Sequence, residues 1–147
     1  MVVENHKLPQ VTMTLSLDNP PFTEGDKKGI HDLTGSLIGN GTDKISKEDF
    51  QEEIDFMGAR INFHSSGAFA NSLSKYFSRT LELMAQGFIN PKFTQEDFET
   101  DKARFIDGLK AEERSVQANA QRVENVLVFG ANHPNGEFTT EEKLNAL

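Results

Sequence analysis

An α+β fold, with an antiparallel sheet covered on one face by helices, is predicted by two changes of period and one hairpin. Residues 10–18 alternate: Val11, Met13, Leu15 and Leu17 face one way, and Thr12, Thr14, Ser16 and Asp18 the other. That is the pattern of a strand with one buried side. From Asp26 the apolar residues recur at helical spacing instead. Alternation returns in residues 59–74, on both sides of Ser65-Ser66-Gly67, which reads as a hairpin turn. Strands with helices segregated from them define the α+β class.

Each element follows from its own residues. Pro9 separates Val2–Asn5 from Gln10–Asp18, so these are expected as two antiparallel strands, the second stopped by Asn19-Pro20-Pro21. The helix expected over Asp26–Ile38 buries Ile30, Leu33, Leu37 and Ile38. Gly29 and Gly35 inside it each cost about 1 kcal/mol relative to Ala, and Gly39-Asn40-Gly41 ends it. Ser46 is an N-cap, with Glu48 and Asp49 at the positive end of a short helix that carries Phe50, Ile54 and Met57 to Gly58. Strands Ala59–Ser65 and Gly67–Ser74 follow, the first through Ile61 and Phe63, the second through Phe69 and Leu73. A helix over Lys75–Phe88 is expected to bury Tyr76, Phe77, Leu81, Met84 and Phe88, and Asn90-Pro91 breaks it. Thr94 caps a long helix whose stripe is Phe98, Phe105, Ile106 and Leu109. A further helix carries Val123, Val126, Leu127 and Phe129 and closes at Gly130. Thr139-Thr140-Glu141-Glu142 then opens a last helix. A helix starting so close to residue 147, and a strand-like Val2-Val3, are the pattern of a piece excised from a longer protein.

Composition narrows the function. The 147 residues carry 15 Lys+Arg against 23 Asp+Glu, a formal charge of -8, with no basic cluster, which argues against a nucleic-acid surface. There is no cysteine, so disulfides, zinc knuckles and thiol nucleophiles are excluded. No apolar run reaches the roughly 18 residues of a membrane span. Met1-Val2-Val3-Glu4 has neither the basic start nor the apolar stretch of a signal peptide.

The usual catalytic signatures are missing. His6, His31, His64 and His133 are too far apart for any helix to present two histidines at i and i+4. His31-Asp32 reads as a surface pair, His64 as an exposed strand end and His133 as a solvated turn residue. There is no Gly-x-Ser-x-Gly elbow, phosphate loop or dinucleotide fingerprint. The pairs Glu52-Glu53, Glu112-Glu113 and Glu141-Glu142 read as solvated helix faces.

The ordered set of elements resembles the insulinase, pitrilysin and mitochondrial processing peptidase family. Val2-Val3-Glu4-Asn5-His6-Lys7-Leu8-Pro9-Gln10-Val11 is similar to that family's opening strands. Gly29 to Thr42 (GIHDLTGSLIGNGT) is similar to its metal helix, which in active members carries His-x-x-Glu-His and is followed by Gly-Thr. Gly58-Ala59, Asn62 and His133-Pro134-Asn135-Gly136 match later family landmarks in order. The resemblance implies an α+β metallohydrolase fold of the LuxS and processing-peptidase kind, with residues 1–147 as one such peptidase domain, truncated at both ends.

It also implies that the catalytic motif is lost. Aligned on Gly29 and Gly41-Thr42, the first histidine becomes Asp32, the general-base glutamate becomes Gly35 and the second histidine becomes Ser36. The family's third ligand, a glutamate, falls near Gly108, with Glu112 and Glu113 about one turn on. Zinc hydrolysis needs about three good ligands, an open position for water and a base. The expectation is therefore a non-catalytic domain with no metal of its own, although the family cofactor is zinc. It would serve as the substrate-binding or assembly partner of an active domain, with Asn62, Phe63, His64 and Ser65 matching the family's peptide-pairing edge strand. One alternative is part of an active zinc metalloendopeptidase whose His-x-x-Glu-His lies in another domain or subunit. Another is a purely structural assembly protein, like the family-related core subunits of a respiratory complex. The expected partners are a second insulinase-type domain, a peptide and, through an unpaired sheet edge, a second copy. A bacterial periplasm or cell envelope is the location the family implies.

Overall fold

The computed structural model describes residues 9–147; the strand expected over Val2–Asn5 lies outside them. The chain divides into two compact units, each assembled from two stretches. One holds the described residues up to Leu17 together with Gly35–Phe93, the other Asp18–Thr34 together with Thr94–Leu147.

The first unit is built on a three-stranded antiparallel sheet of β1 (Gln10–Ser16), β2 (Arg60–His64) and β3 (Gly67–Leu73). The order is β1-β3-β2. β1 runs from Gln10 opposite Leu73 to Ser16 opposite Gly67, and β2 from Arg60 opposite Asn71 to His64 opposite Gly67. β1 ends two residues before the expected Asp18 because β3 begins at Gly67. Beyond that point the Leu17 N–H donates to the Ser66 carbonyl of the hairpin turn, at 2.8 Å. The alternation in β1 holds: Val11, Met13 and Leu15 are half-buried, and Thr12, Thr14 and Ser16 are exposed.

Among the described residues of this unit, the helices cover the inward face of the sheet. α2 (Lys47–Phe56) is capped by Ser46, whose hydroxyl accepts from the Asp49 N–H at 3.1 Å. Its Phe50 and Ile54, with Met57, form a core with Leu83, and Ile61 and Phe63 pack against it. α3 (Phe77–Ile89), preceded by a single 3-10 turn at Ser74–Tyr76, lies over β3. The face of α3 that is buried consists of Thr80, Leu83, Met84 and Gly87. This corrects the expected stripe, since Phe77 and Leu81 are exposed. Ala68 and Ala70 of β3 are fully buried and meet Met84. Side chains that small bring the helix down close to the sheet, which favours its slimmer face. On the other side of the sheet Thr12, Thr14, Arg60, Asn62 and His64 are exposed, and the Asn71 amide donates to the Thr12 hydroxyl at 3.0 Å.

The second unit is helical. Its core is Leu33, Leu109 and Leu144, flanked by Phe98, Phe105, Ile106 and Leu147. α1 (Ile30–Leu37) opens in this unit, and its last residues belong to the first. The helix expected from Asp26 thus starts four residues late, after a 3-10 turn at Gly25–Lys27. Gly29 is the reason: its φ is +110°, and a methyl group there would sit 2.6 Å from Leu144 Cδ2. It is a break that only glycine fits, rather than a weak helix residue. α4 (Gln95–Glu112), capped by Thr94, turns its expected stripe inward. α6 (Glu141–Asn145) starts at its Thr140 cap and buries Leu144.

α5 (Val116–Phe129), capped by Ser115, departs from expectation. Of the expected stripe only Val126 is half-buried, while Val123, Leu127 and Phe129 are exposed. The inner face instead carries Ala118, Arg122 and Asn125. Arg122 donates to Glu112 at 2.9 Å and lies over the Phe138 ring, 5.9 Å from its centroid. These two anchors rotate the helix.

Candidate functional site

α1 keeps the apolar framework expected of a buried helix, with Leu33 and Leu37 in the interior. Its chemistry-bearing positions are different. Asp32 is exposed in the first turn, where a carboxylate suits the positive helix end. Ser36 is exposed on the last turn. Gly35, at the position aligned with the general base, has no side chain and no room for one. A methyl group there would lie 2.9 Å from the backbone nitrogen of Ser65 and 3.5 Å from His64 Cα. The backbone of the β2–β3 turn thus occupies the space next to α1 where a side chain would start.

On α4, Gly108 is exposed and immediately precedes the buried Leu109, which shares a cluster with Leu33 of α1. The Glu112 carboxylate is taken up by Arg122, and Glu113 ends the helix exposed. Among the described residues, no three of His, Cys, Asp and Glu come together as a metal-holding group. At the aligned positions of α1 the donors are the Asp32 carboxylate and the Ser36 hydroxyl, with His31 turned to the Phe22 ring, and this set does not fit a catalytic zinc, which takes imidazole, thiolate and carboxylate in a near-tetrahedral set.

Asn62, Phe63, His64 and Ser65 do come together at one sheet edge. β2 pairs with β3 on one side, and among the described residues no strand pairs with its other side. In an antiparallel pair only alternate residues bond to the neighbour, so part of the β2 backbone is left facing outward. Asn62 and His64 stand on the open face of the sheet, and His64 Nδ1 lies 3.1 Å from the Ser66 hydroxyl. Phe63 points the other way, its ring centroid 6.3 Å from that of Phe50. Ser65 forms the turn.

The remaining histidines have modest surroundings. His31 meets the edge of the Phe22 ring, 5.5 Å between centroids. His133 stacks on Phe129, and its Nδ1 accepts from the Asn135 N–H at 3.1 Å.

Two carboxylates that drew no attention in the sequence set the start of α1. Glu24 accepts from Lys28 Nζ at 2.8 Å and from the N–H groups of Gly29 and His31, both at 3.0 Å. Glu137 accepts from the N–H groups of Glu24 and Gly25 at 3.0 and 3.1 Å. Burial opposes the charge on Glu24, but the bonds from Lys28, His31 and Gly29 together outweigh it and hold its carboxyl below the usual range. The available signal was an acid just upstream of a helix, obscured by the expectation that the helix ran back to Asp26.

Helices on one face of an antiparallel sheet, with α1 packed against the β2–β3 turn at Gly35, are the architecture of an insulinase-type peptidase domain. It is similar to a crystal structure of the inactive domain of a peptidase M16 from Pseudomonas fluorescens, with a TM-score of 0.79 and 20% identity. That similarity covers 98% of this chain and 39% of the other. A protease from Helicobacter pylori is similar at a TM-score of 0.73 and 14% identity, over 94% of this chain and 35% of that one. The chain therefore spans little more than a third of either protein. The family profile for insulinase, peptidase family M16, matches residues 1–132, and the chain belongs to that family. No curated protein matches it significantly. No helix among the described residues is long and apolar enough to cross a membrane.

Proposed function

We propose that this chain is a non-catalytic insulinase-type domain, the substrate-binding or assembly half of a zinc metallopeptidase whose working motif is carried by another domain or subunit. The observation that carries this reading is Gly35. The general-base position has lost its side chain, and the space beside it is taken by the Ser65 backbone. The similarity to a domain described as inactive supports it. The similarity to a bacterial protease more than twice as long supports the second half, in which such a domain is part of a larger active enzyme. A bacterial envelope location belongs to the same reading.

The test is elemental analysis of untagged protein dialysed against trace zinc at neutral pH. Well under one zinc per chain is expected, and one tightly bound zinc per chain overturns the reading.

The β2 edge is the part of the domain that retains a use for substrate. Strand addition draws its affinity from main-chain hydrogen bonds, so it survives the loss of catalytic side chains. Titrating an extended peptide into labelled protein should move the amide resonances of Ile61 to His64. A β2 that does not respond, with shifts elsewhere or none, assigns the domain to assembly alone.

A further inference from the structure

We propose that the peptide taken up at the β2 edge is acidic: an extended segment with carboxylates at alternate positions, facing Arg60 and His64, and apolar residues between them. The inference rests on β2 acting as a peptide-pairing edge and adds which side chains that edge selects. A strand laid on β2 turns every second residue to each face of the sheet, directly across from a β2 residue of the same face. Strand parity therefore fixes what it touches, whatever else borders the domain.

On the open face the added strand meets Arg60, Asn62 and His64. All three side chains offer N–H donors. Among the described residues the Arg60 guanidinium and the Asn62 amide have no side-chain partner, and His64 has only the Ser66 hydroxyl, 3.1 Å from Nδ1. Arg79, Arg104 and Arg122, by contrast, each have a carboxylate partner. The register shows why Arg60 differs. Across this face Arg60 stands beside Asn71 and Thr12, Asn62 beside Phe69 and Thr14, and His64 beside Gly67 and Ser16. No carboxylate stands in these three rows, although the chain carries 23 Asp+Glu against 15 Lys+Arg.

Charge therefore chooses the occupant. Opposite charges directly across two strands favour pairing and like charges oppose it. A guanidinium also takes a carboxylate through two parallel N–H···O bonds. The net charge of -8 repels an acidic ligand at long range. In about 0.15 M salt that repulsion is screened beyond about 8 Å, so the contacts at the edge decide. On the inward face the added strand continues the row of Ile61 and Phe63, which pack on the α2 core, so the intervening residues are apolar.

Fluorescence anisotropy in about 0.15 M salt with three labelled peptides tests this. Their cores are Glu-Val-Asn-Val-Glu, Gln-Val-Asn-Val-Gln and Lys-Val-Asn-Val-Lys, each flanked by serines. These cores read the same in both directions, so their end residues face Arg60 and His64 in either strand orientation. The glutamate peptide should bind roughly fivefold more tightly than the glutamine peptide, and the lysine peptide most weakly. Its binding should shift the amide resonances of Ile61 to His64. Arg60→Glu should reverse the order of the glutamate and lysine peptides, and Arg60→Lys should keep it. Arg104→Glu makes the same charge change on α4 and should leave the order as it is. Matching circular-dichroism melts separate loss of binding from loss of fold. Equal binding of the three peptides, with shifts along β2, keeps the peptide edge and overturns the acidic preference. No binding of any peptide, or shifts only away from β2, removes the edge and the preference with it. Reversal by Arg104→Glu as well as Arg60→Glu traces the preference to net charge and overturns it too.

Discussion

A methyl group on Gly35 would lie 2.9 Å from the backbone nitrogen of Ser65, closer than ordinary van der Waals contact allows. The contact inverts a familiar rule. In a free helix Gly→Ala gains about 1 kcal/mol. Here Gly35→Ala must push the β2–β3 turn away, and overpacking of this kind costs about 1–3 kcal/mol. Gly35→Ala is expected to lower the melting temperature by several degrees, measured by circular dichroism. A stabilised variant would mean that α1 and the turn are not in close contact.

Rebuilding the family motif should fail for two reasons. Asp32→His, Gly35→Glu and Ser36→His together restore the sequence but force a larger side chain against the same turn, and Gly108 still offers no third ligand. The triple variant is expected to melt below the parent and to hold less than one zinc per chain by elemental analysis. Full zinc occupancy with an unchanged melting temperature would contradict this.

Glu24 links the second unit to pH. Its carboxyl is held below the unfolded value, so its stabilisation is present above that value, near pH 4.3, and is lost as pH falls through the folded one. Glu24→Gln also deprives Lys28 of its partner and weakens the bonds from the Gly29 and His31 N–H groups. A loss of about 1–3 kcal/mol is expected near pH 7. Melting curves of parent and variant should draw together as pH falls below the ordinary carboxylate range and through the lowered folded value. A gap that stays constant with pH would show that charge is irrelevant at this site.

Arg79 bridges α2 and α3 by gripping both oxygens of Glu53 while also donating to Glu82 at 2.8 Å. The guanidinium bonds hold the Glu53 carboxyl low, ahead of a smaller opposing effect of burial. Both Arg79 and Glu53 are about a third exposed, so solvent discounts the pair heavily. Arg79→Met is expected to cost no more than about 1 kcal/mol in dilute buffer, and less in about 0.5 M salt. Chemical denaturation with urea, which adds no ions, measures both.

The strand positions, the face of β1 and the caps were legible in the sequence because their signals are local; the face of β3 was not, since it buries Ala68, Ala70 and Ser72 and leaves the expected Phe69 exposed. Alternation from Gln10 to Ser16 lies within one strand, and Ser46, Thr94 and Thr140 each cap a helix by accepting from the N–H three residues on. Helix rotation was not legible. Nothing near Phe77 or Leu81 announces that Met84 will settle on Ala68 and Ala70 while Thr80 and Leu83 turn to Met57 and Phe50. Nor does α5 announce that Arg122 will be held by Glu112, ten residues before it, and by Phe138 after it. At the candidate site, the hairpin around Ser65-Ser66 was readable and placed β2 at an edge. Gly35, read as a helix penalty, proved to be a contact. Its meaning depends on a turn thirty residues away.

The split membership of α1 has a consequence for synthesis on the ribosome. Its first half waits for residues far along the sequence, since Leu33 shares its buried cluster with Leu109 and Leu144. At 5–20 residues per second, Leu144 follows Leu33 into the peptide tunnel on the order of ten seconds later. In that interval the sheet and its two helices, complete by Phe93, can fold around the second half of α1. The first half must stay unfinished, an apolar stub exposed to chaperones and proteases until Leu144 of α6 packs on Leu33.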